Sequence, residues 1–225
     1  MKLYEHVEPG IFLARPNRFI ARVETGRGEE ICHVKNTGRC RELLVPGARV
    51  TLAGSYNPAR KTKYDLVAVW KNDLYINMDS QAPNQAVREA LPRLFPGLTA
   101  VKPEARFGAS RLDFYLEAGE RRIFLEVKGV TLEEDGLALF PDAPTERGVK
   151  HLGELEKCAA AGYEAAVLFL VQMKGVHGFA PNRKTHPAFG DALCRARSAG
   201  VEILCYDCRV TEDGMTLDAP VKLAF

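Results

Sequence analysis

Apolar and polar residues alternate with a period of two along much of the chain, most clearly from Arg111 to Lys128, RLDFYLEAGERRIFLEVK. Gly119-Glu120 offers a two-residue turn with Gly at its first central position, as a type II′ hairpin requires. Folded there, Leu112 faces Val127, Phe114 faces Leu125 and Leu116 faces Ile123, an apolar ladder of cross-strand pairs on one side. The other side receives Asp113 across from Glu126 and Tyr115 across from Phe124. Lys128 points the same way as Glu126, because strand side chains alternate.

Between Gly10 and Met78 the same period recurs in shorter runs: Ile11 to Ala14, Arg18 to Glu24, Glu30 to Val34, Ala48 to Ala53, Tyr64 to Trp70 and Leu74 to Met78. Turn residues separate them at Gly26-Arg27-Gly28, Pro46-Gly47, Asn57-Pro58 and Asn72-Asp73. The stretch from Asn36 to Leu44 has room for one or two helical turns between the third strand and the fourth. That pattern predicts a small Greek-key barrel of the oligonucleotide/oligosaccharide-binding (OB) type, with an SH3-like barrel as the alternative.

Beyond a hinge at residues 79–83 the period changes. Asn84 can cap a helix through Val87, Ala90 and Leu91, closed by Pro92 and Pro96. After the hairpin, Gly129 to Asp142 reads as a turn-rich connector, and Thr145 or a neighbour starts a helix that ends at Gly162. Glu164 to Gln172 is an almost unbroken apolar run, as in a strand buried on both faces. A helix from Pro187 to Ala199 and a strand from Val201 to Tyr206 complete a strand–helix–strand–helix–strand order. The expected architecture is α/β, α+β overall: an OB-like barrel over residues 1–80, then a mixed sheet flanked by helices over residues 81–225.

Composition supports a globular chain of 225 residues, 46% hydrophobic and 27% charged. No apolar run reaches the length of a membrane span and the first residues lack the apolar core of a signal peptide, so the sequence reads as cytoplasmic, with no membrane partner. The six cysteines are too sparse for a disulfide scaffold, and Cys205-Tyr-Asp-Cys208 lacks the second ligand pair of a zinc site, which leaves them as core thiols. Charge is uneven. Residues 1–80 carry 13 Lys/Arg against 9 Asp/Glu, whereas residues 81–225 carry 18 against 20. In the first part Arg15, Arg18, Arg22, Lys35, Arg39, Arg41, Arg60, Lys61 and Lys63 lie at loop edges or alternate along strands, with Phe19 and Tyr56 among them. Cations that track phosphates and aromatic rings that stack on bases make a nucleic-acid surface, and here the cations outnumber the rings; a solvated strand face is the alternative.

The hairpin carries the candidate chemistry. Two carboxylates directly opposite repel each other unless a cation lies between them, and oxygen ligands suit Mg²⁺ or Mn²⁺. Such an ion activates water and clamps a phosphoryl oxygen, while Lys128 orients the nucleophile or stabilises charge on phosphorus. The Val127 carbonyl offers a further ligand. Equally, Asp113 and Glu126 can be wet surface balanced by Arg111, Arg121, Arg122 and Lys128. Glu89 falls away from the Val87, Leu91, Leu94 side of its helix, so spacing alone places it in solvent. Arg147 and Lys150, near the start of the second helix, suit phosphate contact or a solvated face, and His151 borders the apolar stripe as a packed histidine would. His177 and His186 sit in Gly/Pro-rich loops without a ligand spacing.

Asp113 followed by Glu126-Val127-Lys128 resembles the D…(D/E)xK signature of the PD-(D/E)xK nuclease superfamily. Four segments, HVKNTGRCRELLVPG (33–47), RLDFYL (111–116), FLEVKGVTL (124–132) and FPDAPTERGVKHLGEL (140–155), resemble the sugar fermentation stimulation protein A family. That resemblance implies an N-terminal OB-like domain, a nuclease-like second domain and DNA binding with little sequence preference. It implies metal ligation by Asp113 and Glu126, the catalytic lysine role for Lys128, and a further acid from the preceding helix, for which Glu89 is the candidate. The proline expected before the first acid is Leu112 here. The expected function is thus a Mg²⁺- or Mn²⁺-dependent nuclease hydrolysing phosphodiesters, with Arg15, Arg18, Lys35, Arg39, Arg41, Arg147 and Lys150 contacting nucleic acid. The alternative is a non-catalytic DNA-binding regulatory protein linked to sugar metabolism. DNA is the first expected partner, RNA the second, and a homo-oligomer is compatible with either reading. A nucleotide or sugar-phosphate enzyme is disfavoured because no GxxxxGK[ST] loop is present.

Overall fold

The structure, a computed structural model, describes residues 1–36, 38–55 and 59–225. The alternating runs of the first part become β1 (Val7–Asn17), β2 (Ile20–Thr25), β3 (Gly28–Val34), β4 (Arg49–Gly54), β5 (Tyr64–Lys71) and β6 (Leu74–Asn77). Their order is β3-β2-β1-β4-β5, closed by a parallel β3–β5 pairing, while β6 extends the sheet as a hairpin on β5. The result is a five-stranded closed OB barrel filled by Phe12, Val23, Val34, Leu52, Leu66 and Val69, each almost wholly buried. Gly10 lets β1 and β2 approach closely, because a Cβ there would collide with the Val23 side chain.

Between β3 and β4 the expected helical turns reduce to one hydrogen-bonded turn, with Leu43 and Leu44 both donating their N–H to the Cys40 carbonyl. Cys40 takes a φ of 44°, outside the right-handed helical region, and Leu43 and Leu44 are drawn into the core. The Asn57-Pro58 turn and Tyr56 lie outside the described residues.

The second part runs α1 (Ala82–Leu94), β7 (Leu98–Phe107), β8 (Ser110–Ala118), β9 (Arg121–Val130), β10 (Leu132–Glu134), β11 (Leu137–Phe140), α2 (Glu146–Ala160), β12 (Glu164–Val171), β13 (Gly178–Pro181), α3 (Pro187–Ser198), β14 (Glu202–Thr211) and β15 (Gly214–Pro220). The main sheet has the order β15-β14-β12-β9-β8-β7; β12 lies parallel to both β9 and β14, and the outer pairs are antiparallel. Ala86, Val87 and Leu91 of α1 join Phe114, Leu116, Leu125 and Leu168 in one apolar cluster, whereas Leu152, Leu155, Phe189 and Leu193 of α2 and α3 join Phe124, Val167 and Phe169 in another. The sheet is therefore covered on both sides, which is why β12 reads as a continuous apolar run.

The hairpin register follows the alternation for Phe114↔Leu125, Tyr115↔Phe124 and Leu116↔Ile123, and Gly119 turns the chain with a φ of +63°. The expected Leu112–Val127 pair does not form: the ladder ends before it, and Leu112 joins the cluster of Phe124 while Val127 joins that of Phe114 and Leu116. Thr145 caps α2, its hydroxyl accepting from the Gly148 N–H. Asn84, expected as the cap of α1, sits inside its first turn; the cap is Gln81, and Pro92 lies within the last turn. The connector from Gly129 to Asp142 holds the hairpin β10–β11, which pairs with β13 in a separate three-stranded sheet. The edge strands β7 and β15 lie outside the runs that the alternation predicts. Lys102-Pro103-Glu104 breaks the apolar pattern of β7, and an edge tolerates it because one side of the strand needs no ladder bonds.

Five of the six cysteines are buried as unpaired thiols and Cys194 is exposed. Burial pushes the thiols of Cys32, Cys40, Cys158 and Cys205 up to about 12, so they act as small core side chains. Among the described residues no helix is long and apolar enough to cross a membrane.

Candidate metal centre and basic groove

The regular β8–β9 ladder stops at Phe114↔Leu125, one pair short of Asp113 and Glu126. There the Val127 N–H donates to Asp113 Oδ2 at 2.8 Å, so a carboxylate takes a main-chain donor at the end of the ladder. Asp113 Oδ1 accepts from Asn84 Nδ2, also at 2.8 Å, which fixes the carboxylate from α1. Glu126 is only 3% exposed. Its Oε1 accepts from Lys128 Nζ at 2.5 Å and meets His151 Nδ1, while its Oε2 is buried with no partner at all.

Arg147 Nε donates to His151 Nε2 at 3.3 Å, which assigns the remaining ring proton to Nδ1, so the imidazole donates to Glu126. Arg147, His151 and Glu126 thus form a chain that holds one oxygen of the carboxylate and leaves the other unused. Burial pushes the Glu126 carboxyl up, yet the His151 hydrogen bond and the Lys128 ammonium outweigh it and hold the group below the usual carboxylate range. Asp113 goes the other way. Burial and then the charge of Glu126 raise it, against the hydrogen bonds from Val127 and Asn84.

A buried carboxylate oxygen without a donor is costly unless something binds it, and a second carboxylate whose proton affinity is raised by the first marks an uncompensated negative site. Both observations fit a hard divalent cation. Among the described residues no group of three or more His, Cys, Asp or Glu side chains forms a ready metal cage. Two carboxylates suffice for Mg²⁺, which retains waters and takes phosphate oxygens into its shell.

Glu89 is not brought to this site. It is half exposed and lies 3.6 Å from the N-terminal amine of Met1. Five positions at about 100° per residue separate it from Asn84 by roughly 140° around α1, so the helix meets the hairpin through Asn84 instead. The roles of Asn84 and His151 were not legible in spacing. Only the helical phase of Arg147 and His151, four residues apart, hints that the two side chains meet.

Of the predicted nucleic-acid residues, Arg15 and Lys35 are engaged within the protein, as is Arg147 through His151. Arg15 donates to the carbonyls of Asn36 (2.8 Å), Gly38 (3.0 Å), Arg39 (2.7 Å) and Arg18 (2.7 Å), tying the β1–β2 turn to the segment after β3. Lys35 Nζ lies 2.7 Å from Asp79 Oδ2, a carboxylate 2% exposed at the start of the second part. Arg18, Arg39 and Arg41 remain at the surface, where with Arg15 and Gly38 they line a concavity of about 450 Å³. Gly38 also lines a neighbouring cavity of about 340 Å³ with Ser80, Gly129, Thr145 and Gln172. The two cavities adjoin at Gly38, and the second is bounded by Gly129, the residue that follows Lys128, and by the acidic Asp142. Arg147 and Lys150 are exposed on the first turns of α2.

Residues 81–214 match the family model described as the sugar fermentation stimulation protein RE domain, and residues 13–78 match the SfsA N-terminal OB domain. A sugar fermentation stimulation protein homolog of Desulfitobacterium hafniense is 62% identical over 213 residues, covering 94% of this chain and 93% of its own length. A homolog from Ruminiclostridium cellulolyticum is 53% identical over 222 residues, with 98% of each chain covered. The solved structure of Pyrococcus furiosus SfsA in complex with Ca²⁺ superimposes with a TM-score of 0.88 at 30% identity, covering 100% of this chain and 98% of that one. With both of its domains matched and relatives this similar along nearly its whole length, the chain belongs to the sugar fermentation stimulation protein family.

Proposed function

We propose that this chain is a Mg²⁺- or Mn²⁺-dependent nuclease that hydrolyses phosphodiester bonds in DNA with little sequence preference. The observation that carries this reading is Glu126 Oε2, buried and unpartnered, in a carboxylate whose charge acts on Asp113. The Ca²⁺ complex of the Pyrococcus furiosus relative supports a divalent-cation site in this fold. Asp113 and Glu126 would hold the ion, which when bound lowers the pKa of a coordinated water and neutralises phosphoryl oxygens. Asn84 and the Val127 N–H orient Asp113, and His151, backed by Arg147, orients Glu126. Lys128 keeps its ammonium at the carboxylate pair, where charge builds up on a reacting phosphate. The arginines of the groove bind backbone phosphates, which carry no sequence information.

Incubating the protein with labelled DNA, and with RNA as the comparison, tests this directly. Cleavage is expected with Mg²⁺ or Mn²⁺ and none with EDTA; intact DNA under every metal, with protein in excess, would contradict it. One observation favours a second reading, a non-catalytic DNA-binding regulatory protein: among the described residues no third acid joins Asp113 and Glu126, and Glu89 stands apart. On that reading DNA binding survives both EDTA and Asp113→Ala, and no metal produces cutting.

A further inference from the structure

Of the eleven phenylalanines, all among the described residues, Phe19 alone is exposed, at 45%. It occupies the tip of the β1–β2 hairpin, and the backbone that presents it is fixed on every side. Asn17 Oδ1 accepts the N–H groups of Phe19 (2.9 Å) and Ile20 (3.1 Å), the Phe19 carbonyl accepts from the Val34 N–H at 2.8 Å, and Arg15 holds the Arg18 carbonyl at 2.7 Å. A phenylalanine left 45% exposed at a hairpin tip keeps much of its apolar surface in water instead of in the barrel core. The Arg18 guanidinium lies 4.9 Å from the ring centroid, and Arg18 lines the arginine concavity together with Arg39 and Arg41. A protein-binding patch has an apolar centre depleted of charge, whereas a lone aromatic among guanidinium groups suits a polyanion that carries flat rings.

We propose that Phe19 is a base-stacking platform and that the nucleic acid in the groove is single-stranded where it passes the barrel. This rests on the nucleic-acid reading of the groove and adds the strandedness of its ligand. An unpaired base stacks on the free face of Phe19, the phosphates on either side meet Arg18, Arg39 and Arg41, and the strand continues past Gly38 toward Gly129 and the hairpin carboxylates. In a duplex the base faces are already covered by their neighbours, so the ring adds nothing to duplex affinity.

The test compares the full-length wild type with Phe19→Ala, Phe19→Trp and Arg41→Gln. Fluorescence anisotropy is read in EDTA, with labelled oligothymidylate as the single strand and a GC-rich hairpin as the duplex. Phe19→Ala is expected to weaken single-strand binding about tenfold and leave duplex binding unchanged, because the loss is that of one stacked base. Phe19→Trp retains single-strand affinity, and its emission is quenched by the strand beyond any response of Trp70, the natural tryptophan. Arg41→Gln weakens both forms in parallel and shallows the salt dependence by about one unit of slope. Unchanged single-strand affinity of Phe19→Ala, equal losses on both forms, or an unquenched Trp at position 19 each overturns the proposal while leaving the groove intact. Wild-type protein that binds neither form removes the groove reading and this proposal together.

Discussion

Replacing Glu126 by Gln is expected to lower metal-dependent DNA cleavage about a thousandfold while leaving a folded protein. Gln keeps the shape of the side chain and an amide oxygen for His151 Nδ1, so the Arg147–His151 arrangement persists. It loses the charge on Oε2, the oxygen of this carboxylate that no donor satisfies, and the anion that pairs with Lys128 at 2.5 Å. Stabilisation of the transition state by a metal ion amounts to several kcal/mol, and about 4 kcal/mol corresponds to the thousandfold loss. Rates measured under single-turnover conditions, alongside a thermal melt of each protein, check both halves. Equal rates for wild type and Glu126→Gln would remove the hairpin from the chemistry. Asp113→Asn is the companion variant, since its Oδ2 accepts the Val127 N–H and its loss alters both charge and ladder geometry.

The second large effect concerns stability, at a residue whose sequence position suggested phosphate binding. Lys35→Ala is expected to destabilise the protein by about 3 kcal/mol, because breaking a buried ion pair leaves its partner uncompensated. Asp79, the partner, is 2% exposed. Its remaining donors are the Gln81 N–H at 2.9 Å and the Tyr4 hydroxyl at 3.3 Å, a phenol pushed up by burial and by Asp79 itself and therefore protonated. These groups sit where β6 leads into α1, beside Gln172, whose side-chain amide donates to the Asn77 and Asp79 carbonyls at 2.9 and 3.2 Å. Removing Lys35 therefore loosens the seam between barrel and sheet. For a chain of this size the expected fall in Tm is about 6–12 °C. Single-strand affinity measured well below the melt stays near wild type, in contrast to Arg41→Gln. A Lys35→Ala protein with unchanged Tm and lost DNA binding would return Lys35 to the binding surface.

These two residues mark what a sequence carries about a site and what it does not. The Asp113–Glu126–Lys128 face was legible because a hairpin with a two-residue turn has one register, and the alternation of Phe114 and Leu116 selects the side, although the ladder itself ends before Leu112 and Val127. The barrel strands and α2 were legible for the same reason, local periodicity with a turn or cap at each end. Lys35 was not, because its partner Asp79 comes from another element and only the closed barrel brings them together. Arg15 was not, because its acceptors are main-chain carbonyls, which have no sequence signature. Glu89 was placed in solvent by its helical phase, and the structure agrees with that spacing over the metal-ligand role that family resemblance implied. The strands β7, β10, β11, β13 and β15 are short or lie at edges, where exposure on one side relaxes the alternation that identifies a strand.

The proposed nuclease chemistry depends on a divalent cation held between Asp113 and Glu126. An anomalous difference map from crystals of this protein grown with Mn²⁺ tests it most directly. One strong peak is expected within coordination distance of Glu126 Oε2 and of an Asp113 oxygen, lost in Glu126→Gln. A fully occupied Mn²⁺ site elsewhere with no density at that pair, or a peak that survives Glu126→Gln, would contradict it.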